Sequence, residues 1–198
     1  MNIGIYSGSF NPIHTGHTQL AQYVCDECGI DEVWLLVSPN NPLKEQSGLW
    51  DEQLRLRLAQ LATQDMPKLH ASDFEFSLPR PSYTVDTLRS LSAAYPEHSF
   101  SLIIGSDNMA VFHKWREYEY ILSHYTILVY PRQGDDIDAL KRLYPQMKVM
   151  RNAPLLNVSS TMIREKLQQG EDVSAWLHPA VADAIMEAKG TLTTKSKE

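Results

Sequence analysis

The chain has 198 residues and a formal charge of −6, because 18 Lys and Arg stand against 24 Asp and Glu. This acidic balance argues against a polyanion-binding surface, and therefore against nucleic acid as a partner. With 43% hydrophobic and 21% charged residues, the composition fits a globular protein that needs no disulfide or metal to hold its core, and it excludes a disordered chain.

Segments rich in β-forming residues alternate with helical periodicity along most of the chain. This alternation predicts an α/β, Rossmann-like, doubly wound fold, in which a mainly parallel sheet has helices on both faces and a small C-terminal helical part follows. The strands are predicted at about residues 2–6, 32–38, 67–72, 99–105, 125–130 and 147–150. The helices are predicted near residues 17–28, 51–64, 84–94, 117–123, 135–143, 161–169 and 179–189.

Gly170 and Gly190 stand just past the last two predicted helices, where glycine commonly ends a helix. No linker divides the chain, so we predict a single domain over residues 1–190 and a polar tail over 191–198. The N-terminus lacks the basic flank and apolar stretch of a signal peptide, and the longest apolar run, Val33 to Val37, is too short to span a membrane. We therefore expect a soluble, cytoplasmic protein without a membrane partner.

The two cysteines, Cys25 and Cys28, form a Cys-x-x-Cys pair on the first predicted helix. Redox chemistry or half of a zinc site would use this spacing. However, the pair continues the apolar stripe of Leu20 and Val24, near the end of a helix that Gly29 terminates, whereas a reactive thiol is favoured at a helix N-terminus. We interpret both cysteines as packing residues.

The turn that joins the first strand to the first helix, from Gly8 to His17, is the strongest chemical signal. Gly8 and Gly16 let the backbone turn and let a ligand approach, while the helix start offers free N–H groups and a positive dipole end to a phosphate. His14 and His17 flank Gly16, so both imidazoles can face that ligand. On local grounds capping or packing remains the alternative, because neither a Walker A loop nor a Gly-x-Gly-x-x-Gly fingerprint is present.

A second candidate ligand-binding segment lies in the C-terminal part of the chain and reads Val158-Ser159-Ser160-Thr161-Met162-Ile163-Arg164. Hydroxyl groups and free N–H groups at a helix start bind anionic oxygens, and Arg164 lies one turn after Ser160 on the same face. An ordinary helix cap followed by a surface arginine is the alternative interpretation.

The pattern Gly8-x-Phe10-x-Pro12-x-His14-x-Gly16-His17 resembles the signature of the HxGH nucleotidyltransferases, and residues 158–164 resemble that superfamily's second motif. Pro81 to Leu88, Ile104 to Asp107 and Trp115 extend the resemblance to the nicotinate mononucleotide adenylyltransferase family over about residues 3–188. The resemblance implies that ATP and nicotinate mononucleotide give deamido-NAD and pyrophosphate by direct in-line attack. It also implies Mg²⁺ carried by the ATP phosphates, with no metal ligand from the protein.

The same resemblance implies roles for individual residues. His17 is assigned to the α-phosphate and His14 to ATP phosphate contact and orientation, as the catalytic pair. Binding of ATP and its phosphates is assigned to Gly8, Ser9, Phe10, Gly16, Lys44, Gly105, Asp107, Arg132, Ser160, Thr161 and Arg164. The mononucleotide is assigned to Tyr83 and Thr84, at a helix start, and to Trp115, whose ring would stack on the pyridine. Locally, Lys44 fits a solvated loop lysine equally well, Asp107 a helix cap, and Trp115 a packing residue.

The chain departs from the family pattern at Ser7, where glycine is usual, at Asn11, where aspartate is common, and at Leu43, which replaces a histidine before Lys44. The first two changes should leave the turn intact, whereas Leu43 removes a polar contact from the phosphate loop. Alternatives are adenylyl transfer to nicotinamide mononucleotide or phosphopantetheine, and a nucleotide-binding module without turnover. The acidic charge and short chain disfavour tRNA recognition, and a homo-oligomer is left open.

Overall fold

Six strands form one sheet in the computed structural model, which describes residues 1–39, 48–154 and 157–194. The strands are β1 (Asn2–Gly8), β2 (Glu32–Val37), β3 (Leu69–Ser72), β4 (Ser99–Gly105), β5 (Thr126–Tyr130) and β6 (Lys148–Val149). Their order in the sheet is β3-β2-β1-β4-β5-β6, and all five pairings are parallel. The predicted doubly wound sheet is therefore confirmed, and the strand order reverses between β1 and β4.

Eight α-helices are found in the described part of the chain. They are α1 (Thr15–Glu27), α2 (Glu52–Thr63), α3 (Thr84–Ala94), α4 (Ser106–Ala110), α5 (Tyr118–His124), α6 (Ile137–Leu143), α7 (Ser160–Gln168) and α8 (Pro179–Thr194). The sequence did not predict α4, nor the short 3₁₀ segment Phe74–Ser77 that follows β3. Both are one-turn elements, too short to show a helical period.

The strands bury side chains on both faces, because helices cover the sheet from both sides. Leu35 and Val37 face the core that α1, α2, α7 and α8 complete, whereas Leu36 between them faces the core formed with α3 and α5. This period of two along β2 gives the sheet two apolar layers. The layers fix the carboxyl ends of the strands, where a site in such a fold is built.

The cysteine pair packs as the sequence predicts. Neither cysteine forms a disulfide. Cys25 is 8% exposed in the core that α1, α2, α7 and α8 complete, and its burial raises the pKa of its thiol to about 11. Burial also raises the pKa of Cys28. A thiol that stays protonated at neutral pH is a poor nucleophile, so Cys25 contributes packing.

The C-terminal helix is longer than the sequence predicts. Gly29 and Gly170 follow the ends of α1 and α7 as expected, with φ of +68° and +75°, but α8 continues through Gly190 to Thr194. A helix-interior glycine costs about 1 kcal/mol relative to alanine, which is not enough by itself to end a helix. Residues 191–194 are therefore helical, which corrects the predicted end of this helix at Gly190, while the division into a domain and a polar tail stays a prediction. No helix in the described ranges is long and apolar enough to cross a membrane.

Candidate active site

A cleft of about 1090 Å³ opens at the carboxyl edge of the sheet, where the strand order reverses between β1 and β4. The turn after β1, the loop after β5 and the start of α7 line it. It brings together eleven of the sequence-predicted site residues: Gly8, Ser9, Phe10, His14, Gly16, His17, Asp107, Arg132, Ser160, Thr161 and Arg164. These residues come from segments more than 140 positions apart, so the fold assembles them.

The turn after β1 has a constrained backbone. Phe10 takes φ of +44°, a left-handed conformation that is strained for a bulky residue and recurs at functional sites. Its ring is 3% exposed and stands edge-on to Tyr6 and to His17, at centroid distances of 5.6 and 5.0 Å. Packing of the Phe10 side chain therefore compensates for its backbone strain.

Gly16 is required because the two sequence motifs meet there. A Cβ at this position would lie 2.9 Å from Nδ1 of His14 and 3.0 Å from Cγ1 of Val158, closer than such atoms normally approach. The glycine thus lets α1 begin directly beneath His14 and against the segment that precedes α7.

The two histidines form a stacked pair at the start of α1. Their ring centroids are 3.7 Å apart with an interplanar angle of 26°, and the backbone N–H of His14 donates to Nδ1 of His17 at 3.2 Å. An Nδ1 that accepts a hydrogen bond carries no proton, so the neutral His17 ring holds its proton on Nε2. His17 can therefore present an N–H donor from Nε2, which suits a phosphate oxygen.

His14 is 7% exposed, and its Nδ1 is buried with no hydrogen-bond partner among the described residues. Burial, helped by the positive charge of Arg132, lowers the pKa of His14 from 6.5 to about 4. The imidazole is neutral at pH 7, and its unused ring nitrogen leaves it able to accept or donate one further hydrogen bond. An unpartnered buried polar atom in a cleft suits contact with a ligand.

The His14 pKa predicts acid sensitivity of the fold. The unfolded chain takes up a proton near pH 6.5 and the folded chain near pH 4, so the free energy of unfolding should fall as pH drops through this window, by up to about 3 kcal/mol. Denaturant unfolding from pH 7.5 to 4.5 measures it, with His14→Asn as the comparison. The variant should lose that slope; identical slopes in both proteins would contradict a neutral, buried His14. The raised pKa of Glu75 acts in both proteins and cancels in the difference.

The start of α7 is docked onto the turn after β1. Oγ of Ser160 donates to the carbonyl of Pro12 at 2.9 Å, and Nη1 of Arg164 donates to the carbonyl of Asn11 at 2.8 Å. Ser159 caps the helix by accepting from the N–H of Met162 at 3.1 Å. These bonds use the only hydroxyl hydrogen of Ser160. Nη2 of Arg164 also donates to Oγ1 of Thr161 at 3.3 Å, which leaves three of the five guanidinium N–H groups for a ligand.

The loop after β5 covers the end of β4. Nε of Arg132 lies 3.4 Å from Oδ1 of Asp107, and Nη2 donates to the hydroxyl of Tyr130 at 3.3 Å. A Cβ on Gly105 would meet that Asp107 oxygen at 2.3 Å. The open space predicted above Gly105 is therefore filled by the Asp107–Arg132 pair, which corrects that expectation. An ionised carboxylate has two acceptor oxygens, so Asp107 can accept from a sugar hydroxyl while it stays beside Arg132.

Two polar residues that shape the cleft had no assigned role from the sequence. Arg55 of α2 is fully buried, and its guanidinium donates to the carbonyls of Ser9 and Ser38, both at 2.7 Å, and to those of Trp50 and Pro39. In the sequence, the only indication that Arg55 is buried is its position within the apolar pattern of a helix.

Asn11, in the turn, clamps a nearby loop through both ends of its amide. It donates to the carbonyl of Gly48 at 2.9 Å and accepts from the N–H of Trp50 at 3.1 Å. An aspartate, which is acceptor-only when ionised, could not make the first bond. This departure from the family pattern therefore has a structural purpose, and the turn forms with it.

Four predicted residues in the described part of the chain lie outside the lining of the cleft, namely Gly105, discussed above, and Tyr83, Thr84 and Trp115. Tyr83 precedes α3 and Thr84 begins it, with the Arg116 guanidinium 5.0 Å from the Tyr83 ring. Trp115 is half-buried against Phe112, at a centroid distance of 5.0 Å, and its Nε1 is buried without a partner in the described ranges. The predicted phosphate-loop residue Lys44 and its neighbour Leu43 lie outside the described residues.

Comparison with known proteins gives consistent matches. A model of cytidylyltransferase-like proteins matches residues 5–166. A protein of Bacteroides fragilis, described as a probable nicotinate-nucleotide adenylyltransferase, is 53% identical over 184 residues, covering 93% of this chain and 90% of that protein. A Flavobacterium johnsoniae protein of the same description is 45% identical over 186 residues, covering 93% of this chain and 96% of its own length.

Solved structures match the fold over nearly its whole length. The Plasmodium falciparum nicotinic acid mononucleotide adenylyltransferase complexed with NaAD has a TM-score of 0.80 at 20% identity, covering 94% of this chain and 95% of that one. A structure described as a putative nicotinate-nucleotide adenylyltransferase from Vibrio parahaemolyticus has a TM-score of 0.71 at 23% identity, covering 93% and 98%. At such identities the likeness establishes the fold.

Proposed function

The chain belongs to the cytidylyltransferase-like family, and with its relatives to the nicotinate-nucleotide adenylyltransferases; from this membership we propose how its cleft works. The enzyme transfers AMP from ATP to nicotinate mononucleotide, giving deamido-NAD and pyrophosphate, as a step of NAD biosynthesis. In our proposal the cleft at the carboxyl edge of the sheet holds ATP, and the mononucleotide approaches from the side of α3.

One observation carries this assignment: the His14–His17 pair and the start of α7 line the same cleft and are joined through the turn. The Ser160 and Arg164 bonds to consecutive carbonyls of residues 12 and 11 hold the second motif against the first. A triphosphate that lies across the junction would meet two helix N-termini, two imidazoles and a guanidinium. Such a site neutralises several phosphate charges although the chain is acidic overall.

The reaction needs no covalent intermediate. A phosphate oxygen of the mononucleotide attacks the α-phosphorus of ATP in line, the bond to the β-phosphate breaks, and pyrophosphate leaves with the negative charge. Positioning and charge neutralisation dominate such chemistry. We assign the Nε2–H of His17 to an α-phosphate oxygen, where negative charge develops, and His14 to orientation of the phosphates. The N–H groups of Ser160 and Thr161 at the start of α7, together with the Arg164 guanidinium, hold the β- and γ-phosphates and the departing pyrophosphate, since the Ser160 hydroxyl already donates to Pro12.

Mg²⁺ is proposed to arrive on the ATP phosphates. The donor set of the cleft fits this arrangement, because it offers imidazole, guanidinium and N–H groups to phosphate, and the one carboxylate among its described lining residues, Asp107, is paired with Arg132. Residues 1–39, 48–154 and 157–194 contain no group of three His, Cys, Asp or Glu that could hold a metal ion. When bound, the ion would screen charge between the phosphates and keep several waters. The cytoplasmic location, the absence of a nucleic-acid partner and a homo-oligomer stay predictions.

Three phosphate-bearing acceptor substrates distinguish the candidate reactions. Pyrophosphate release from ATP should be measured side by side with nicotinate mononucleotide, nicotinamide mononucleotide and phosphopantetheine. We expect the highest kcat/KM with nicotinate mononucleotide, because the free N–H groups at the start of α3 suit its carboxylate. Preference for phosphopantetheine would contradict the substrate assignment. Absence of release with all three would favour the nucleotide-binding module instead.

Replacement of Trp115 by alanine should weaken the affinity for the mononucleotide more than that for ATP, by about 10-fold against less than 3-fold, because base stacking on an aromatic ring is worth about 1–3 kcal/mol. Michaelis constants for both substrates measure the effect. Trp176→Ala is the matched control, since that ring is also half-buried but packs on the other core. Equal losses for both substrates in Trp115→Ala would count against stacking.

A further inference from the structure

Glu75 is a buried carboxylate outside the cleft lining, in the 3₁₀ segment that follows β3. It is 3% exposed, and it accepts hydrogen bonds from Oγ of Ser7 at 2.9 Å and from Ser82 Oγ and Thr87 Oγ1, both at 3.3 Å. The hydroxyl of Ser38 is a fourth donor. No Lys, Arg or His in the part of the chain that the structure describes forms an ion pair with Glu75.

Burying a carboxylate without a paired cation costs folding free energy, so the presence of Glu75 in the interior requires an explanation. Burial raises the pKa of Glu75, and the four hydroxyl donors partly offset that rise by stabilising the charged form. An ionised carboxylate is acceptor-only, so it makes every contacting hydroxyl point its hydrogen inward. Glu75 therefore orients the hydroxyl groups of three serines and shares that of Thr87 with the carbonyl of Tyr83, also at 3.3 Å, which an amide could not do because it also donates.

The four donors connect the two candidate substrate sites. Ser7 is the next-to-last residue of β1 and lines the cleft beside Gly8, whereas Ser82 directly precedes Tyr83 and Thr87 lies in the first turn of α3. Ser38 follows β2. Ser7 stands where the family usually has glycine, so the hydroxyl that joins Glu75 to the phosphate-binding turn depends on this chain's own residue.

We propose that Glu75 is a positioning residue that fixes the start of α3, where the mononucleotide is assigned, relative to the turn that is assigned to ATP. The inference rests on the proposed function, because it concerns the placement of two substrates of one reaction. In-line attack requires the reacting atoms to lie about 3–3.5 Å apart, and a misplacement of 1 Å can cost about 10²-fold in rate. Glu75 acts on this distance through Ser7, Ser82 and Thr87, without touching either substrate.

The test is Glu75→Gln, which keeps the shape and removes the charge. We expect kcat to fall about 10- to 100-fold and KM for nicotinate mononucleotide to rise, while KM for ATP changes less than about 3-fold. The melting temperature should stay the same or rise, since the cost of burying a charge is removed. Glu97→Gln, at a position whose side chain is 63% exposed, is the matched control and should keep wild-type kinetics.

The kcat values of the wild type and of Glu75→Gln test this inference separately from the proposed function. Wild-type turnover together with a Glu75→Gln kcat within about 2-fold of it would overturn this inference and leave the proposed function standing. Absence of turnover in the wild type would overturn both. If Glu75→Gln does not fold, Ser82→Ala provides the same test, because it removes one donor beside Tyr83. Its kcat/KM for the mononucleotide should fall at least about 5-fold with KM for ATP unchanged, and an unaltered value would overturn the inference.

Discussion

Replacement of His17 by asparagine or alanine is expected to lower kcat about 10²- to 10³-fold with little change in ATP affinity. The expected loss is that of one hydrogen-bond donor to charge that develops in the transition state. Because Nδ1 of His17 accepts from the His14 backbone, the donor that we assign to the α-phosphate is Nε2. Asparagine can take over the Nδ1 contact but has no atom at Nε2, so His17→Asn separates the chemistry from the capping of α1.

Glutamine at position 17 provides the complementary test, because its amide nitrogen can reach the region of Nε2. His17→Gln should retain more turnover than His17→Asn, with circular dichroism and nucleotide titration confirming that both variants fold and bind ATP. His70→Ala is the control, since His70 lies on β3 outside the cleft with a side chain that is 48% exposed. Near-normal turnover in His17→Asn would remove His17 from the chemical step.

Arg55→Met is expected to have the largest effect on stability. The change removes the hydrogen-bond donors of the buried guanidinium. It leaves four backbone carbonyls without those donors, namely the carbonyls of Ser9, Ser38, Pro39 and Trp50. A buried acceptor left without a donor costs about 1–3 kcal/mol, and relief of the buried charge offsets part of the sum. We expect a loss of about 3 kcal/mol of unfolding free energy, which for a domain of this size lowers the melting temperature by roughly 6–12 °C.

Arg57→Met is the matched control, because Arg57 lies two residues further along α2 with a side chain that is 63% exposed and only a 3.7 Å contact to Glu187. An exposed pair of this kind is worth about 1 kcal/mol or less, so this variant should unfold within 0.5 kcal/mol of the wild type. Equal stability losses in the two variants would show that the hydrogen bonds of Arg55 do not stabilise the loops after β1 and β2. Activity of folded Arg55→Met should also fall, since Ser9 belongs to the turn.

The sheet could be predicted from the sequence because strand and helix periods are local properties of the chain. Every predicted strand is present within about two residues of its expected bounds, and α3 has the bounds expected. The same locality explains the errors. The glycine signal at Gly190 does not end α8, and the single turn of α4 gives no periodic signal.

The residues that we propose to carry the chemistry were also recognisable from the sequence, but their hydrogen-bond partners were not. His14, His17 and Arg164 stand out because glycine, histidine and hydroxyl residues occur together at helix starts, where phosphate binds. Nothing in the sequence indicates that Arg164 donates to the carbonyl of Asn11, or that Asp107 covers Gly105, because these contacts join segments remote along the chain.

The sequence by itself determined the fold class, the family and the two motifs that we propose to bind phosphate, since each depends on short-range patterns of residue type. Only the tertiary structure decided which polar groups are buried and what satisfies them. Arg55 is one arginine on an amphipathic helix until the loops after β1 and β2 fold over it, and Glu75 is an ordinary acidic residue until four hydroxyl groups surround it. Whether a side chain is buried depends on the residues that pack around it in the folded chain. The roles of Arg55 and Glu75 beside this cleft can therefore be identified only in the tertiary structure, where the sheet brings their hydrogen-bond partners together.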